Sequence, residues 1–349
     1  MPVITINDRH IGKNHPVYII AEMSANHNQN YDQAVKIVYA AKACGADAIK
    51  LQTYTPDTMT IPSKQEQFTI AKGTKWEGQT LYDLYKTAYT PWEWQPNLKK
   101  IADDIGIDFF STPFDHTAVD FLEDMNVAAY KVASFELVDL PLIEKIALTG
   151  KPIIMSTGMA SISEIDEAVQ TARNAGAKQI ALLKCTSAYP APAEEMNLHT
   201  IQNLSQTFDV VSGLSDHTLE LAIPIAAITL GASIIEKHFT ISRKVEGPDN
   251  SFSLEPDEFA SMAQAIRTAE KALGGIKYGV QKEESKCLDF RRSLFVVKDV
   301  KEGEIFTKEN VRSIRPSNGL HTRYYHEIIG RYAKQNVVAG TPLSWSLVK

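Results

Sequence analysis

No apolar run in this 349-residue chain approaches the roughly 20 residues that a membrane-spanning helix needs. The N-terminus also lacks a basic-then-apolar leader, so neither membrane insertion nor export is expected and a cytoplasmic location is. Cysteine is scarce. Cys44, Cys185 and Cys287 are the three present; they match no zinc spacing and cannot all pair, which fits a reducing compartment. No GxGxxG turn follows the first candidate strand, which argues against a dinucleotide-binding open sheet. Beyond Arg291-Arg292 there is no cluster of basic residues and no nucleic-acid motif, so nucleic acid is not an expected partner.

What remains has the make-up of an ordinary globular protein, 44% hydrophobic and 22% charged. Its charge is unevenly spread. From Arg291 to Lys349 there are 11 Lys and Arg against 5 Asp and Glu, whereas the whole chain carries a net charge of −6. A basic tail therefore follows an acidic body.

Short apolar runs recur at Val17–Glu22, Ala48–Gln52, Asp108–Thr112, Ala129–Ala133, Pro152–Ser156, Gln179–Cys185, Asp209–Leu214 and Ser233–Glu236. Each reads as a strand buried on both faces, and helical spacing fills the intervals. Glycines 45, 106, 150, 176 and 231 fall where those helices should stop. Eight such units over about 270 residues predict an α/β protein, a (β/α)₈ or TIM barrel. Residues 1–280 are assigned to this barrel, 281–290 to a charged linker and 291–349 to a small β-rich domain. In that last domain Ser293–Val297 and Val311–Arg315 are expected strands, and Thr307–Asn310 a short capped helix. The connection between Thr53 and Gly106, with Trp76, Trp92 and Trp94, is the longest, and is either a lid or a surface embellishment.

In a parallel barrel, ligands bind at the carboxyl ends of the strands. Those ends carry Glu22, Lys50 with Gln52, Thr112, Lys131 with Ser134, Ser156, Thr186 with Tyr189, Ser215 with His217, and Glu236 with His238. Every tip is polar. Two lysines among small hydroxyls describe an anion pocket, and few acids are expected to lie beside either lysine. His217 and His238, on what should be neighbouring strands, suit one metal ion with open positions for Lewis-acid chemistry. Asp216 is either a third ligand or a residue that orients an imidazole. Asn26 and His27 are expected to brace the loop after Glu22. Together these features suit the joining of a phosphorylated three-carbon unit to a carbonyl compound.

The stretches AEMSANH (21–27), KLQT (50–53), STPFD (111–115), YKVASFE (130–136), STGM (156–159), KCTSAYP (184–190), GLSDHT (213–218), EKHF (236–239) and GPD (247–249) resemble the phosphoenolpyruvate-dependent sialic acid synthases. RRSL (291–294) and RPSNG (315–319) resemble that family's C-terminal antifreeze-like, or SAF, domain. The resemblance implies that Lys50, Thr112, Lys131, Ser134, Ser156 and Ser215 hold phosphoenolpyruvate. It implies that His217 and His238 bind a divalent metal, Mn2+ being usual and Mg2+ or Co2+ the alternatives. Glu22, Gln52, Tyr189, Glu236 and Asp249 would contact the amino sugar, with Glu22 managing a proton. Arg315 would reach the partner's active site in a domain-swapped homodimer.

Within the family, AEMSANH, QTYTPDT (52–58) and YKVASFE look most like the pseudaminic acid synthase branch. Its sugar is 2,4-diacetamido-2,4,6-trideoxy-L-altrose. The chain departs from the sialic acid synthases at Met23-Ser24-Ala25, at Ala133 and Phe135, and at Ser187, where an Asn is common. Phe135 lines either an apolar sugar pocket or the protein's own packing. An N-acetylneuraminate or legionaminate synthase is the alternative reading. A non-catalytic sugar- or ice-binding protein would have no use for the polar strand ends.

Overall fold

The computed structural model describes residues 2–71 and 76–349, which form two compact units, up to Gly274 and from Gly275 onward. The chain begins with an antiparallel hairpin, β1 (Val3–Ile6) and β2 (Arg9–Gly12). The sequence reading started its first strand at Val17 and missed it. Eight parallel strands follow: β3 (Tyr18–Glu22), β4 (Ala48–Thr53), β5 (Asp108–Pro113), β6 (Tyr130–Val132), β7 (Ile153–Ser156), β8 (Ile180–Cys185), β9 (Val211–Asp216) and β10 (Ile234–His238). They close into a barrel in chain order, with β10 pairing back onto β3. The expected (β/α)₈ architecture is present.

Helices between the strands follow the apolar spacing. Tyr31–Ala43 buries Ala34, Ile37, Val38 and Ala41 against the barrel, and Ile162–Asn174 buries Ile165, Ala168, Val169 and Ala172. After Thr218 the apolar run forms a helix from Ala222 to Thr229. Pro224 fits there because the first N–H groups of a helix have no intrahelical acceptor. The long connection after β4 contains helices Pro56–Met59, Leu81–Ala88 and Gln95–Ile105; its residues 72–75 lie outside the described ones.

Strand side chains alternate faces, and each face of the barrel has its own content. Ile19, Ile49, Phe109, Val132, Met155, Leu182, Leu214 and Ile235 meet the helices. Tyr18, Ile20, Ala48, Phe110, Ile154, Ala181, Leu183, Val211 and Ile234 fill the interior, together with Ile4, Ile6 and Ile11 of the hairpin. The hairpin therefore floors the barrel with apolar side chains. Above these apolar side chains, toward the carboxyl ends of the strands, the interior turns polar.

The second unit has its own core, built on Leu294, Val296, Val300, Phe306, Val311, Ile328, Ala333, Val337 and Leu343. Its paired strands are β11 (Ser293–Val296) and β12 (Val311–Ile314). One expectation needs correction. Residues 307–310 form a turn, not a helix, because Thr307 N–H donates to the Asn310 side chain (2.7 Å) and Glu309 N–H to the Thr307 hydroxyl (3.2 Å). The charged connector contains a 3₁₀ helix from Glu283 to Phe290.

Candidate active site

The inward-facing positions one layer above the apolar interior are Glu22, Lys50, Thr112, Lys131, Ser156, Cys185, Ser215 and Glu236, all buried. Strand register sets the neighbours. Glu22 lies opposite Lys50 on one side and His238 on the other, and Ser215 lies opposite Glu236 and Cys185. β9 and β10 each run two residues past the sequence-based ends, so Ser215, Asp216, Lys237 and His238 belong to the sheet itself. His217 follows at once.

The two lysines differ in their surroundings. Lys50 Nζ contacts Glu22 at 2.7 Å and Glu236 at 3.5 Å and donates to Thr112 Oγ1 at 3.2 Å. The expectation that few acids lie beside it was wrong, because its partners come from strands adjacent in space but distant in sequence. Burial works against the Lys50 charge, but the two carboxylates outweigh it and raise its pKa. Lys131 donates to Ser156 Oγ (2.6 Å) and to the Val132 carbonyl (3.0 Å) and makes no ion pair among the described residues. Burial lowers its pKa, an effect that Glu236 opposes. An ammonium 2% exposed and held only by neutral acceptors is stabilised by an anion brought to it.

The carboxyls also diverge. Burial raises the pKa of Glu22, Lys50 opposes the rise and Glu236 adds to it. Glu236 is lowered: burial pushes it up, but Lys131 and Lys50 pull it further down. Gln52 Nε2 donates to Glu22 Oε1 (3.1 Å) and to Ser24 Oγ (2.9 Å), and Ser24 Oγ donates in turn to Asp249 Oδ2. One polar chain thus links Glu22, Gln52 and Asp249. Its link, Ser24, was missed. Ser24 holds the left-handed backbone (φ +45°), a conformation that non-glycine residues adopt at a cost and that recurs at functional sites. Asn26 and His27 brace this loop as expected, Asn26 on Phe239 O and Ser253 Oγ and His27 on Thr90 Oγ1.

His217 and His238 face each other with ring centres 5.2 Å apart. Two imidazoles sharing one ion through nitrogen–metal bonds of ~2 Å have ring centres about 5 Å apart, so the spacing fits. His217 Nδ1 lies 2.9 Å from the Thr186 carbonyl, which accepts the Nδ1 proton; burial lowers the pKa of the ring, but Cys185 and that carbonyl raise it further. His238 Nδ1 is buried without a hydrogen-bond partner, as is Glu236 Oε2. Burial, with the nearby positive groups, lowers the His238 pKa well below that of a free imidazole and keeps the ring neutral. Among the described residues no cluster of three or more His, Cys, Asp or Glu could hold a metal, so these two imidazoles would leave the remaining positions to water and substrate. Asp216 is not a third ligand. It faces the helices and pairs with Lys237 at 2.6 Å.

Tyr189 lies against His217, ring centres 4.3 Å apart. Across it is Trp76 at 6.4 Å, whose buried indole N–H has no hydrogen-bond partner among the described residues; no spacing in the 53–106 stretch pointed to it. Ser134 is buried beside Gly158. Phe135 is 59% exposed and so is not part of the chain's own packing. Arg315 follows β12 in the second unit and is exposed.

Two further side chains escaped the sequence reading. Cys185 ends β8 facing inward, its Sγ 3.9 Å from His217 Nδ1 and 3.7 Å from Ser187 Oγ; strand alternation would have found it. Glu136, mostly buried with Oε2 unpartnered, has its pKa pushed up by burial to about 7.

Gly158 has φ +41°, and a Cβ there would lie 2.4 Å from Ser134 Cβ and 3.0 Å from Ser187 Oγ. Gly158→Ala must therefore displace Ser134. The expected result is a loss of about 1–3 kcal/mol of stability, read by thermal melting.

The comparisons with known proteins agree with this geometry. A model of the NeuB family matches residues 37–278 and one of the SAF domain matches residues 291–349. The pseudaminic acid synthase of Helicobacter pylori is 46% identical over 330 residues, 94% of this chain and 97% of that protein. The N,N'-diacetyllegionaminic acid synthase of Campylobacter jejuni is 38% identical, covering 91% and 96%. Among solved structures, the N-acetylneuraminic acid synthetase of Leptospira borgpetersenii, crystallised with citrate, superposes with a TM-score of 0.73 at 32% identity, over 83% of this chain and 96% of that one.

Proposed function

The chain belongs to the NeuB family, and on that premise we propose that it is a pseudaminic acid synthase. It would condense phosphoenolpyruvate with 2,4-diacetamido-2,4,6-trideoxy-L-altrose and water to give pseudaminic acid and phosphate. The observation that carries this reading is the buried Lys131 ammonium, which has no carboxylate within ion-pair distance among the described residues and sits in one layer with Lys50 and the hydroxyls of Thr112, Ser156 and Ser215. That layer suits the phosphate and carboxylate of phosphoenolpyruvate, with Ser134 beside it. The choice of sugar rests on the higher identity to the Helicobacter pylori synthase than to the legionaminic acid enzyme.

His217 and His238 would hold a divalent ion, Mn2+ first and Mg2+ or Co2+ next, which when bound supplies Lewis acidity to the aldehyde of the open-chain sugar. Gln52, Asp249, Tyr189 and Glu236 would orient that sugar. C3 of phosphoenolpyruvate attacks the aldehyde carbon and water adds at C2. The tetrahedral adduct then loses phosphate by C–O cleavage. Glu22, its basicity raised by burial, takes the water's proton.

The second unit would close the site in trans, in a domain-swapped homodimer, with Arg315 of one chain entering the mouth of the other. The match to the SAF domain and the exposed Phe135, Val138, Met159 and Ile162 on the segments after β6 and β7 support this arrangement. Three free cysteines fit a cytoplasmic enzyme, and no helix among the described residues is long and apolar enough to cross a membrane.

Phosphate release tests the reading, with phosphoenolpyruvate, Mn2+ and, in turn, the L-altro diacetamido sugar, the legionaminate precursor and N-acetylmannosamine. The L-altro sugar is expected to give the highest kcat/KM. With the bridging oxygen of phosphoenolpyruvate isotopically labelled, the label should leave in the phosphate. Preference for another sugar would move the assignment to a sister activity, and label retained in the sugar acid would exclude C–O cleavage.

A further inference from the structure

Directly behind the two histidines, on the helix-facing side of the sheet, lies a buried ion pair without an evident part in the chemistry. Asp216 and Lys237 are each 1% exposed, are register partners across β9 and β10, and approach to 2.6 Å. Each immediately precedes a histidine in sequence. Alternation therefore turns the ion pair outward and the imidazoles inward.

The contacts of this pair reach past the sheet. His217 lies beyond the end of β9, where the sheet's ladder no longer holds the backbone. Asp216 Oδ1 accepts from Thr218 N–H (2.9 Å), and Lys237 Nζ donates to the Thr218 carbonyl and to its hydroxyl (3.3 Å for the latter). The residues on both sides of His217, Asp216 through its carboxylate and Thr218 through its carbonyl and hydroxyl, thus hold one ammonium, carried by the residue next to His238. Taking a carboxylate and an ammonium out of water costs several kcal/mol each, so such a pair adds little net stability over well-packed apolar side chains. Its contribution here is to location.

Resting on the reading that His217 and His238 bind the cation, we infer that Asp216 and Lys237 are positioning residues. They set the separation of the two imidazoles, and thereby the affinity for a divalent ion, without touching ion or substrate. Partners of this kind behind metal ligands typically change metal affinity by ~10–100-fold when removed.

The test is binding of Mn2+ alone to metal-stripped full-length protein, followed by the electron paramagnetic resonance of free and bound Mn2+. The variant is Asp216→Leu with Lys237→Met, which removes both charges together. Its melting temperature should stay within a few degrees of wild type, and its affinity for phosphoenolpyruvate should be kept. Its Kd for Mn2+ should rise about 10–100-fold, with an altered bound-state line shape. A variant that binds Mn2+ as the wild type does overturns the inference while leaving the metal reading intact. A wild type that fails to bind Mn2+ overturns both. If the double variant does not fold, Asp216→Glu, which keeps both charges and lengthens one arm, decides: weaker Mn2+ binding with unchanged melting supports the inference, and unchanged binding ends it.

Discussion

Replacing Glu22 with Gln is expected to lower kcat by about 10²–10⁴, the usual contribution of a positioned acid or base, while phosphoenolpyruvate still binds. Glu22 stands in register between His238 and Lys50 and touches both the anion layer, through Lys50, and the polar chain to Asp249, through Gln52. Its pKa and that of Glu236 are driven apart, one raised by burial and the other lowered by two lysines. Two carboxyls separated in this way divide the work: the ionised one binds, and the more basic one moves a proton. Glutamine keeps the shape of the side chain, and Lys50 keeps Glu236 at 3.5 Å, so no charge is stranded and the fold should hold. Phosphate release and a phosphoenolpyruvate titration on the same variant separate the outcomes. Near-normal turnover would remove Glu22 from proton transfer; loss of binding as well would make it chiefly the partner that holds Lys50 in place.

Lys131→Met should act on the other half of the reaction. The Lys131 ammonium is buried with Ser156 Oγ and the Val132 carbonyl as its acceptors, so its charge is available to a bound anion. A hydrogen bond to a charged group is worth about 1.5–3 kcal/mol, and on the proposed function one such contact to phosphoenolpyruvate is lost. The expected result is a rise of about 10–10²-fold in KM or Kd for phosphoenolpyruvate, measured by steady-state kinetics and calorimetry. Stability should change little. Removing a buried charge that forms no ion pair among the described residues relieves its desolvation but also removes its pull on Glu236, so the melting temperature should hold within a few degrees. A variant that melts earlier and still binds phosphoenolpyruvate normally would show Lys131 to be structural.

Much of this site could be read before any coordinates, for a physical reason. Strands buried on both faces are apolar throughout, so a polar residue at a strand end stands out, and Glu22, Lys50, Lys131, Ser156, Ser215, Glu236 and His238 all did. The strand ends themselves were harder to place. β9 and β10 run on through Asp216 and His238 because their polar residues are paired, inward or outward, and pairing of this kind leaves no trace in composition. Following alternation strictly would have turned Asp216 away from the cavity and brought Cys185 into it. The Glu22–Lys50 contact joins residues 28 positions apart through strand register, which no local pattern encodes. Ser24 owes its place to a left-handed backbone that serine rarely adopts. The N-terminal hairpin shows alternation in Val3-Ile4-Thr5-Ile6, but four residues are too few to weigh against loop.

That hairpin has a consequence for traffic. With Ile4, Ile6 and Ile11 stoppering the lower end of the cylinder, the polar layer is left to be reached from the carboxyl ends of the strands. On the proposed function, a chamber of that shape would load from the bottom upward, whatever takes the deepest berth arriving first and leaving last.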